Sequence, residues 1–282
     1  MEEERHLTDE SVLNFQKHLM LEEKSHNTTA KYLRDASAFM IFAKGKCISK
    51  ETVLAYKQDL IRHDYAICSI NSILSSLNSL FSFLGWGDCK VKSMKMQRKI
   101  FCPEEKELTK EEYHRLVKAA MQKGNGRLCL ILQTICGTGI RVSELSFITA
   151  EAVRQGEAVV FCKNKTRRVF IVRELRKKLL QYMKEQGIAS GCVFVTKTGR
   201  PVSRTNIWRE MKGLCKRAGV SSDKVFPHNL RHLFARTFYE IEKDIAKLAD
   251  ILGHCSINTT RIYIVSTGAE HRRKMEKMHL IL

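Results

Sequence analysis

The chain has 282 residues, 44% of them hydrophobic, which suits one large globular domain or two smaller ones. Its 49 Lys and Arg residues exceed its 30 Asp and Glu residues by 19 charges, which favours a polyanionic partner, nucleic acid first, over a neutral small molecule. The acidic start "MEEERH" excludes a signal peptide, and the longest apolar stretch, 128–140, is too short and too broken to span a bilayer.

The first hundred residues predict four amphipathic helices. Apolar residues recur there at helical spacing, and Thr8 and Ser49 stand where N-caps are expected. The four segments are 8–23, 28–44, 49–63 and 69–86. We therefore predict a small helical domain over residues 1–88.

The helical pattern breaks after Gly85, and residues 89–106 are predicted to form a basic linker. The stretch "KVKSMKMQRK" contains five basic and no acidic residues: Lys90, Lys92, Lys95, Arg98 and Lys99. A solvated linker explains this composition as well as a segment that follows a phosphate backbone does. Both interpretations stay open at this point.

The remaining part, residues 107–282, is predicted to be a second domain that is mostly helical. Residues 101–282 carry 34 basic against 18 acidic residues, so most of the excess charge lies here. Two short strands, 158–162 and 167–172, flank the turn "KNKT" as a hairpin. The predicted helices start at the capping box of Thr109 and Glu112 and continue with 127–136, a helix from Arg141, 173–186, 204–218, 228–241, 244–252 and 256–264. The predicted fold class is mainly α with a small antiparallel β-sheet.

Two short motifs contain residues suited to binding a phosphate. In "PHNLRH", His228 and Arg231 lie three residues apart and so share one face at the start of a helix, where an anion binds well. In "GTGIRVSEL", Arg141 follows a sharp glycine turn, and Glu144 lies close enough to hold its guanidinium. Each motif alone more often has an ordinary structural or surface role.

Two further motifs contain groups that could move a proton or attack. "CKNKTRRV" places Lys163 and Lys165 at the tip of the hairpin, where an ammonium is either simply solvated or able to reach into a groove. In "LGHCSINTTRIY", His254 follows a glycine that ends a helix, and Tyr263 comes nine residues later behind a helix capped by Ser256.

The order of these groups along the chain, Arg, Lys, His-x-x-Arg, His and Tyr, resembles the tyrosine recombinase/integrase family. The resemblance extends over nearly the whole chain, and the N-terminal helices look like a SAM-like core-binding domain. It implies a catalytic domain whose active site consists of Arg141, Lys163, His228, Arg231, His254 and Tyr263. Lys163 is chosen over Lys165 because "KNKTRRVFI" then matches the family's hairpin without a gap. Glu144 matches a supporting acidic residue, and Lys165 and Arg167 are assigned to DNA binding with the five linker residues.

The resemblance also implies a chemistry. The two arginines would grip the scissile phosphate, His228 would act as base or orienting group for the proton of the attacking Tyr263, and Lys163 would protonate the departing 5′ oxygen. His254 would hydrogen-bond a phosphate oxygen. The product would be a 3′-phosphotyrosyl link that can be rejoined, with no metal and no other cofactor. The ten cysteines form no C-x-x-C pair and no tight Cys/His cluster, so we expect reduced thiols in a cytoplasm and no zinc site.

The chain is expected to bind double-stranded DNA and to form a homo-tetramer on paired DNA sites. An accessory directionality protein is a possible further partner, and no association with a membrane is expected. The expected role is integration or excision of a mobile element, or Xer-like resolution in a bacterial or archaeal nucleoid. The terminal "MHLIL" is expected to dock on a neighbouring subunit, although packing on its own domain is the alternative. Two other functions stay open: a type IB topoisomerase-like enzyme, and a DNA-binding relative without catalysis.

Overall fold

The computed structural model of the chain describes residues 5–95, 106–162, 165–263 and 276–277. The chain divides into two compact units, residues 1–98 and 99–282, and each has a hydrophobic core of its own. No helix in the described ranges is both long and apolar enough to cross a membrane.

The first unit consists of four helices and a short 3₁₀ turn. The helices are α1 (Asp9–Leu21), α2 (His26–Ala43), α3 (Lys50–Arg62) and α4 (Ile67–Phe83), and the turn is Gly87–Cys89. Thr8 and Ser49 cap α1 and α3 as predicted, and Ser25 caps α2, which begins two residues before the predicted start. Phe15, Phe39 and Leu77 are fully buried between the helices, so the apolar faces read from the sequence form the core.

Residues 89–95, which open the predicted linker, pack against α4. Val91 is 5% exposed and lies in the core of the first unit. The side-chain amide of Asn78 donates to the Val91 carbonyl at 2.9 Å and accepts its N–H at 3.1 Å, and Asn71 holds Met94 in the same way at 3.0 and 2.7 Å. Because the two asparagines are seven residues apart on one helix face, they hold this segment extended along the helix. Residues 96–105 lie outside the described part.

The second unit combines helices with one two-stranded antiparallel sheet. Its elements are α5 (Lys110–Gln122), α6 (Gly126–Thr138), α7 (Ala150–Gln155), β1 (Glu157–Cys162), β2 (Lys165–Phe170), α8 (Arg173–Glu185), α9 (Arg204–Lys212), α10 (Cys215–Ala218), α11 (Pro227–Glu242), α12 (Ile245–Leu252) and α13 (Ile257–Arg261). The capping box that opens α5 is present as predicted. The mainly helical fold with a small antiparallel sheet is thereby confirmed. Helix α6 is buried along most of its length and packs against α5, α8 and α11.

Three local predictions are corrected. The segment predicted as a helix from Arg141 is a 3₁₀ helix, Val142–Phe147, because the Glu144 carboxylate bonds back to the Arg141 N–H and tightens the turn. The predicted turn "KNKT" overlaps β2: Cys162 pairs with Lys165, so Lys165 and Thr166 belong to the strand, and residues 163–164 lie outside the described part. The helix predicted over 204–218 breaks between α9 and α10.

Candidate active site

Arg141 is placed by the way α6 ends. Gly139 closes this helix in the left-handed conformation, with φ of 65°. A Cβ atom at this position would lie 2.5 Å from Cδ1 of Phe234 on α11, so the glycine also allows the two helices to approach closely. Arg141 follows two residues after Gly139 in an extended conformation.

Glu144 holds two guanidinium groups with one buried carboxylate. Its side chain is 4% exposed and accepts from Nη1 of Arg141 at 2.9 Å and from Nη2 of Arg167, on β2, at 2.6 Å. Two cations on one anion leave a local net charge of +1, and the Arg141 side chain remains 35% exposed. Glu144 therefore orients Arg141 without neutralising the cluster.

Arg231, on the first turns of α11, is 1% exposed and connects three segments. It donates to the carbonyl oxygen of Gly139 at the end of α6, to that of Leu252 at 2.7 Å, and to Nε2 of His254 at 3.0 Å. Burial, followed by the charge of Arg141, lowers the pKa of Arg231 to about 10, so it stays protonated at neutral pH.

His254 is positioned by a second glycine. Gly253 ends α12 with φ of 64°, and a Cβ atom there would lie 2.5 Å from Cδ of Arg167. Nδ1 of His254 lies 2.8 Å from Oγ1 of Thr260. Burial, and then the charges of Arg231, Arg141 and Arg167, lower the pKa of His254 to about 4. The imidazole is therefore neutral at pH 7.

Tyr263 lies just beyond α13, among three imidazole rings. Its ring centroid is 4.3 Å from that of His232, 5.2 Å from that of His254 and 5.4 Å from that of His228. The tyrosine is 6% exposed, and its hydroxyl oxygen lies 3.5 Å from Nε2 of His228. Burial, and then the charges of Arg231, Arg141 and Arg204, lower the pKa of His228, which favours the neutral imidazole.

A cavity of about 440 Å³ opens beside these groups. Arg141, His228 and Arg231 line it, and Arg204 and Trp208 of α9 line it further along. A cavity with three guanidiniums and an imidazole suits a phosphodiester, since the charge is positive and a base is present.

The structure brings together six of the predicted site residues: Arg141, Glu144, His228, Arg231, His254 and Tyr263. Lys163, Arg98 and Lys99 lie outside the described residues. Lys165 begins β2, and Arg167 contacts Glu144 with a side chain that is 11% exposed. Lys90, Lys92 and Lys95 are exposed on the first unit.

Sequence reasoning missed two residues of this site, His232 and Thr260. His232 lies one helical turn after His228, and its i, i+4 spacing was a usable signal for a shared face. Burial, and then its neighbours His228, Arg236 and Arg231, lower the pKa of His232 to about 3. Thr260 shows no such signal, because its contact with His254 depends on how the chain turns after Gly253. In the described ranges, no cluster of three or more His, Cys, Asp or Glu residues is placed to hold a metal ion.

Comparison with known proteins agrees with this geometry. Residues 106–270 match the model of the phage integrase family, and residues 12–87 match the phage integrase N-terminal SAM-like domain. Tyrosine recombinase XerA of Pyrococcus horikoshii is 31% identical, covering 100% of this chain and 98% of the relative. The XerA of Pyrococcus furiosus is 29% identical, covering 99% and 97%.

Two solved structures share the fold. The crystal structure of XerA recombinase is 24% identical with a TM-score of 0.55, covering 98% of this chain and 100% of that one. A lambda integrase dimer bound to a core site is 20% identical with a TM-score of 0.75, covering 92% and 95%.

Fold and site together define a DNA strand transferase of the tyrosine type. The matches to both domains make the assignment specific: the chain belongs to the phage integrase family, the site-specific tyrosine recombinases.

Proposed function

We propose that the chain cuts and rejoins duplex DNA through a 3′-phosphotyrosyl intermediate on Tyr263. One observation carries the proposal: the Tyr263 hydroxyl lies 3.5 Å from Nε2 of a neutral imidazole, His228, which lines the same cavity as Arg141 and Arg231. The arrangement offers a nucleophile, a base and a charged phosphate site in one place.

The first step transfers the Tyr263 hydroxyl proton to Nε2 of His228 as the phenolic oxygen attacks the phosphorus. The bond from phosphorus to the 5′ oxygen breaks, and that oxygen takes a proton, which we assign to the Lys163 ammonium. The DNA 3′ end is then joined to Tyr263, and a 5′-hydroxyl is free. Rejoining runs through the same steps in reverse, so the phosphodiester energy is kept.

Arg141 and Arg231 have different parts in this proposal. Arg141 keeps a partly exposed side chain and reaches the phosphate oxygens directly. Arg231 is buried and already bonds three groups of the protein, so it supplies fixed positive charge at the cavity wall. A fixed charge needs no reorganisation as the five-coordinate phosphorus forms, which is why such groups stabilise transition states well.

The substrate we propose is a pair of duplex DNA sites. The lambda integrase structure is a dimer on DNA, and XerA is a recombinase by name. The excess of basic residues in 101–282, with exposed Lys90, Lys92 and Lys95, supports binding to the phosphate backbone. Strand exchange between two duplexes needs four cuts, so the active form we propose is a homo-tetramer on DNA, with an accessory directionality protein as a further candidate partner.

The test is a covalent trap. The protein is mixed with nicked duplexes of random sequence. Cleavage releases a short fragment that cannot be rejoined, so the covalent adduct accumulates. Sequencing then identifies the trapped DNA, and mass spectrometry identifies the residue that carries the adduct. We expect the adduct on Tyr263. Tyr263→Phe should bind the selected DNA within about twofold of the unmodified protein and form no adduct, since it loses only the attacking oxygen.

Tyr239→Phe is the matched control, because Tyr239 also packs in this region and should not be needed. An adduct in the Tyr263→Phe variant would contradict the proposal. Binding without any adduct in the unmodified protein would indicate a DNA-binding relative without catalysis. Relaxation of supercoiled plasmid without a target sequence would indicate a topoisomerase instead.

A further inference from the structure

We propose that Thr260 is a positioning residue that keeps the His254 proton on Nδ1, so that Nε2 is the nitrogen that faces Arg231 and the scissile phosphate. The part of this proposal that concerns phosphate rests on the proposed function. The part that concerns the free protein does not.

Both ring nitrogens of His254 have a partner. Nε2 lies 3.0 Å from Nη2 of Arg231, and Nδ1 lies 2.8 Å from Oγ1 of Thr260. A guanidinium nitrogen can only donate, so Nε2 must accept and therefore carries no proton. A neutral imidazole has one proton, which leaves it on Nδ1, and the Thr260 hydroxyl oxygen accepts it.

The acceptor is built into the fold. Thr260 is 0% exposed, whereas its neighbour Thr259 is exposed. The backbone carbonyl of Thr260 also accepts the N–H of Tyr263 at 2.9 Å. One buried residue thus bonds both the histidine and the segment that carries the nucleophile.

Moving the proton to Nε2 would set two donors against each other, His254 Nε2–H and Arg231 Nη2–H. Arg231 would have to turn away, and its bonds to the carbonyls at the ends of α6 and α12 would be disturbed. Thr260 supports the Nδ1–H form because its hydroxyl oxygen accepts that proton; for the proton to leave Nδ1, the hydroxyl would have to turn and donate to the nitrogen instead.

The same contact prepares His254 for substrate. The charged groups that face it are Arg231, Arg141 and Arg167, with His228 beside them, and all of them disfavour its protonation in the free protein. A bound phosphate brings negative charge and favours a proton on Nε2. Thr260 accepts from Nδ1–H before and after that change. Once Nε2 carries a second proton, taken from solvent, it and the Arg231 N–H both donate to the phosphate, so the two donors no longer oppose each other and the ring need not rotate.

The first test uses the free protein and needs no DNA. Nitrogen-15 NMR of labelled histidine distinguishes a protonated from an unprotonated ring nitrogen, and the His254 signals are assigned by their loss in His254→Gln. At pH 7 we expect Nδ1 protonated and Nε2 unprotonated. Thr260→Ser should keep this pattern, Thr259→Val should not affect it, and Thr260→Val should move proton onto Nε2. The Nε2–H form in the unmodified protein would overturn the proposal.

The second test measures single-turnover cleavage of the nicked duplex that is used for the covalent trap. Thr260→Val should cut about tenfold more slowly than the unmodified protein, because it lacks the hydrogen bond to His254. Its affinity for the uncut site should stay within about twofold of the unmodified value. Thr260→Ser should restore most of the rate. Unchanged cleavage and an unchanged Nδ1–H pattern in Thr260→Val would also overturn it. If the unmodified protein forms no adduct at all, the proposed function fails, and the NMR result still decides the proton position.

Discussion

Burial and an excess of positive charge determine the protonation states of the residues in this site. Arg141 and Arg167 share one carboxylate, Glu144, and burial together with the charges of Arg231 and Arg141 lowers the pKa of both His228 and His254. Neutral imidazoles next to a tyrosine hydroxyl can accept its proton, whereas imidazolium ions could not. The arginines that bind phosphate therefore also keep the base ready.

The leaving-group proton is the first prediction at this scale. A duplex with a bridging 5′-phosphorothiolate has a leaving sulfur that needs no proton, so it should restore cleavage to Lys163→Ala almost fully. Lys165→Ala is the matched control and should cut the ordinary duplex within about threefold of the unmodified rate. Rescue of Lys165→Ala, and not of Lys163→Ala, would move the acid by two residues.

His232 makes stability depend on pH, which is the second prediction. Its pKa is about 3 in the fold and about 6.5 in an unfolded chain, and the groups that depress it besides burial are His228, Arg236 and Arg231. Between these values the unfolded chain binds the extra proton, so the stability that neutral His232 contributes is present above pH 6.5 and is lost as the pH falls toward 3. At pH 5 the loss is at most about 2 kcal/mol.

Urea unfolding at pH 7 and pH 5 measures this effect. A Trp86→Phe background leaves Trp208 as the one tryptophan and so reports on the second unit. The free energy of unfolding should differ less between pH 7 and pH 5 in His232→Phe than in the unmodified background, by about 1 to 2 kcal/mol. An undiminished difference would assign the pH dependence to other groups.

Helix ends are the elements that build the site. Helices α6 and α12 both end at a left-handed glycine, and at both ends a Cβ would collide with a side chain of another element. The carbonyls next to these ends are the ones that Arg231 binds. The glycines therefore determine where His254 and the Arg231 guanidinium meet.

Gly253→Ala should disturb this arrangement. Alanine in the left-handed region costs about 1 to 2 kcal/mol, and the new methyl would also push Arg167 away from Glu144. Cleavage should fall more than tenfold, measured on the trapped duplex. Gly219→Ala is a matched control: Gly219 ends α10 with φ of 58° and has nothing within 4 Å of an added Cβ. Gly219→Ala should lose a similar amount of stability and keep its cleavage rate. An equal loss of cleavage in both variants would show that backbone strain alone causes the loss.

The whole molecule divides its tasks between two units. The first unit has its own core and carries an extended basic segment that Asn71 and Asn78 hold along α4. The second unit contains the site residues that the structure describes and most of the excess positive charge. Affinity for DNA is thus expected to come from both units, and chemistry from the second.

Assembly is the prediction at this scale. The five terminal residues, 278–282, lie outside the described residues, and we expect them to bind a neighbouring subunit because they are mainly apolar. Deleting them should leave binding to a single half-site unchanged and weaken complexes on paired sites at least tenfold. Gel-shift titration on one-site and two-site DNA measures both. Equal complexes on both DNAs would mean that the tail packs on its own domain.

Local sequence patterns predicted most of the helices. Thr8, Ser49 and the pair Thr109 and Glu112 begin helices where expected, because capping and apolar periodicity depend only on residues a few positions apart. The 3₁₀ segment after Arg141 and the start of β2 at Lys165 were not predicted. The first depends on Glu144, whose second partner Arg167 is 23 residues away, and the second depends on strand register.

For the site, the order of the motifs indicated the family and the residues to examine, since the spacing of His228 and Arg231 and the glycine before His254 are readable in one dimension. The tertiary structure decided what those residues are in this protein. It buries Arg231 among three acceptors, lowers the pKa of three imidazoles, and brings Thr260 against His254 and His232 against Tyr263. These properties arise from burial and from charges on other elements, and neither exists until α11, α12 and α13 are packed together.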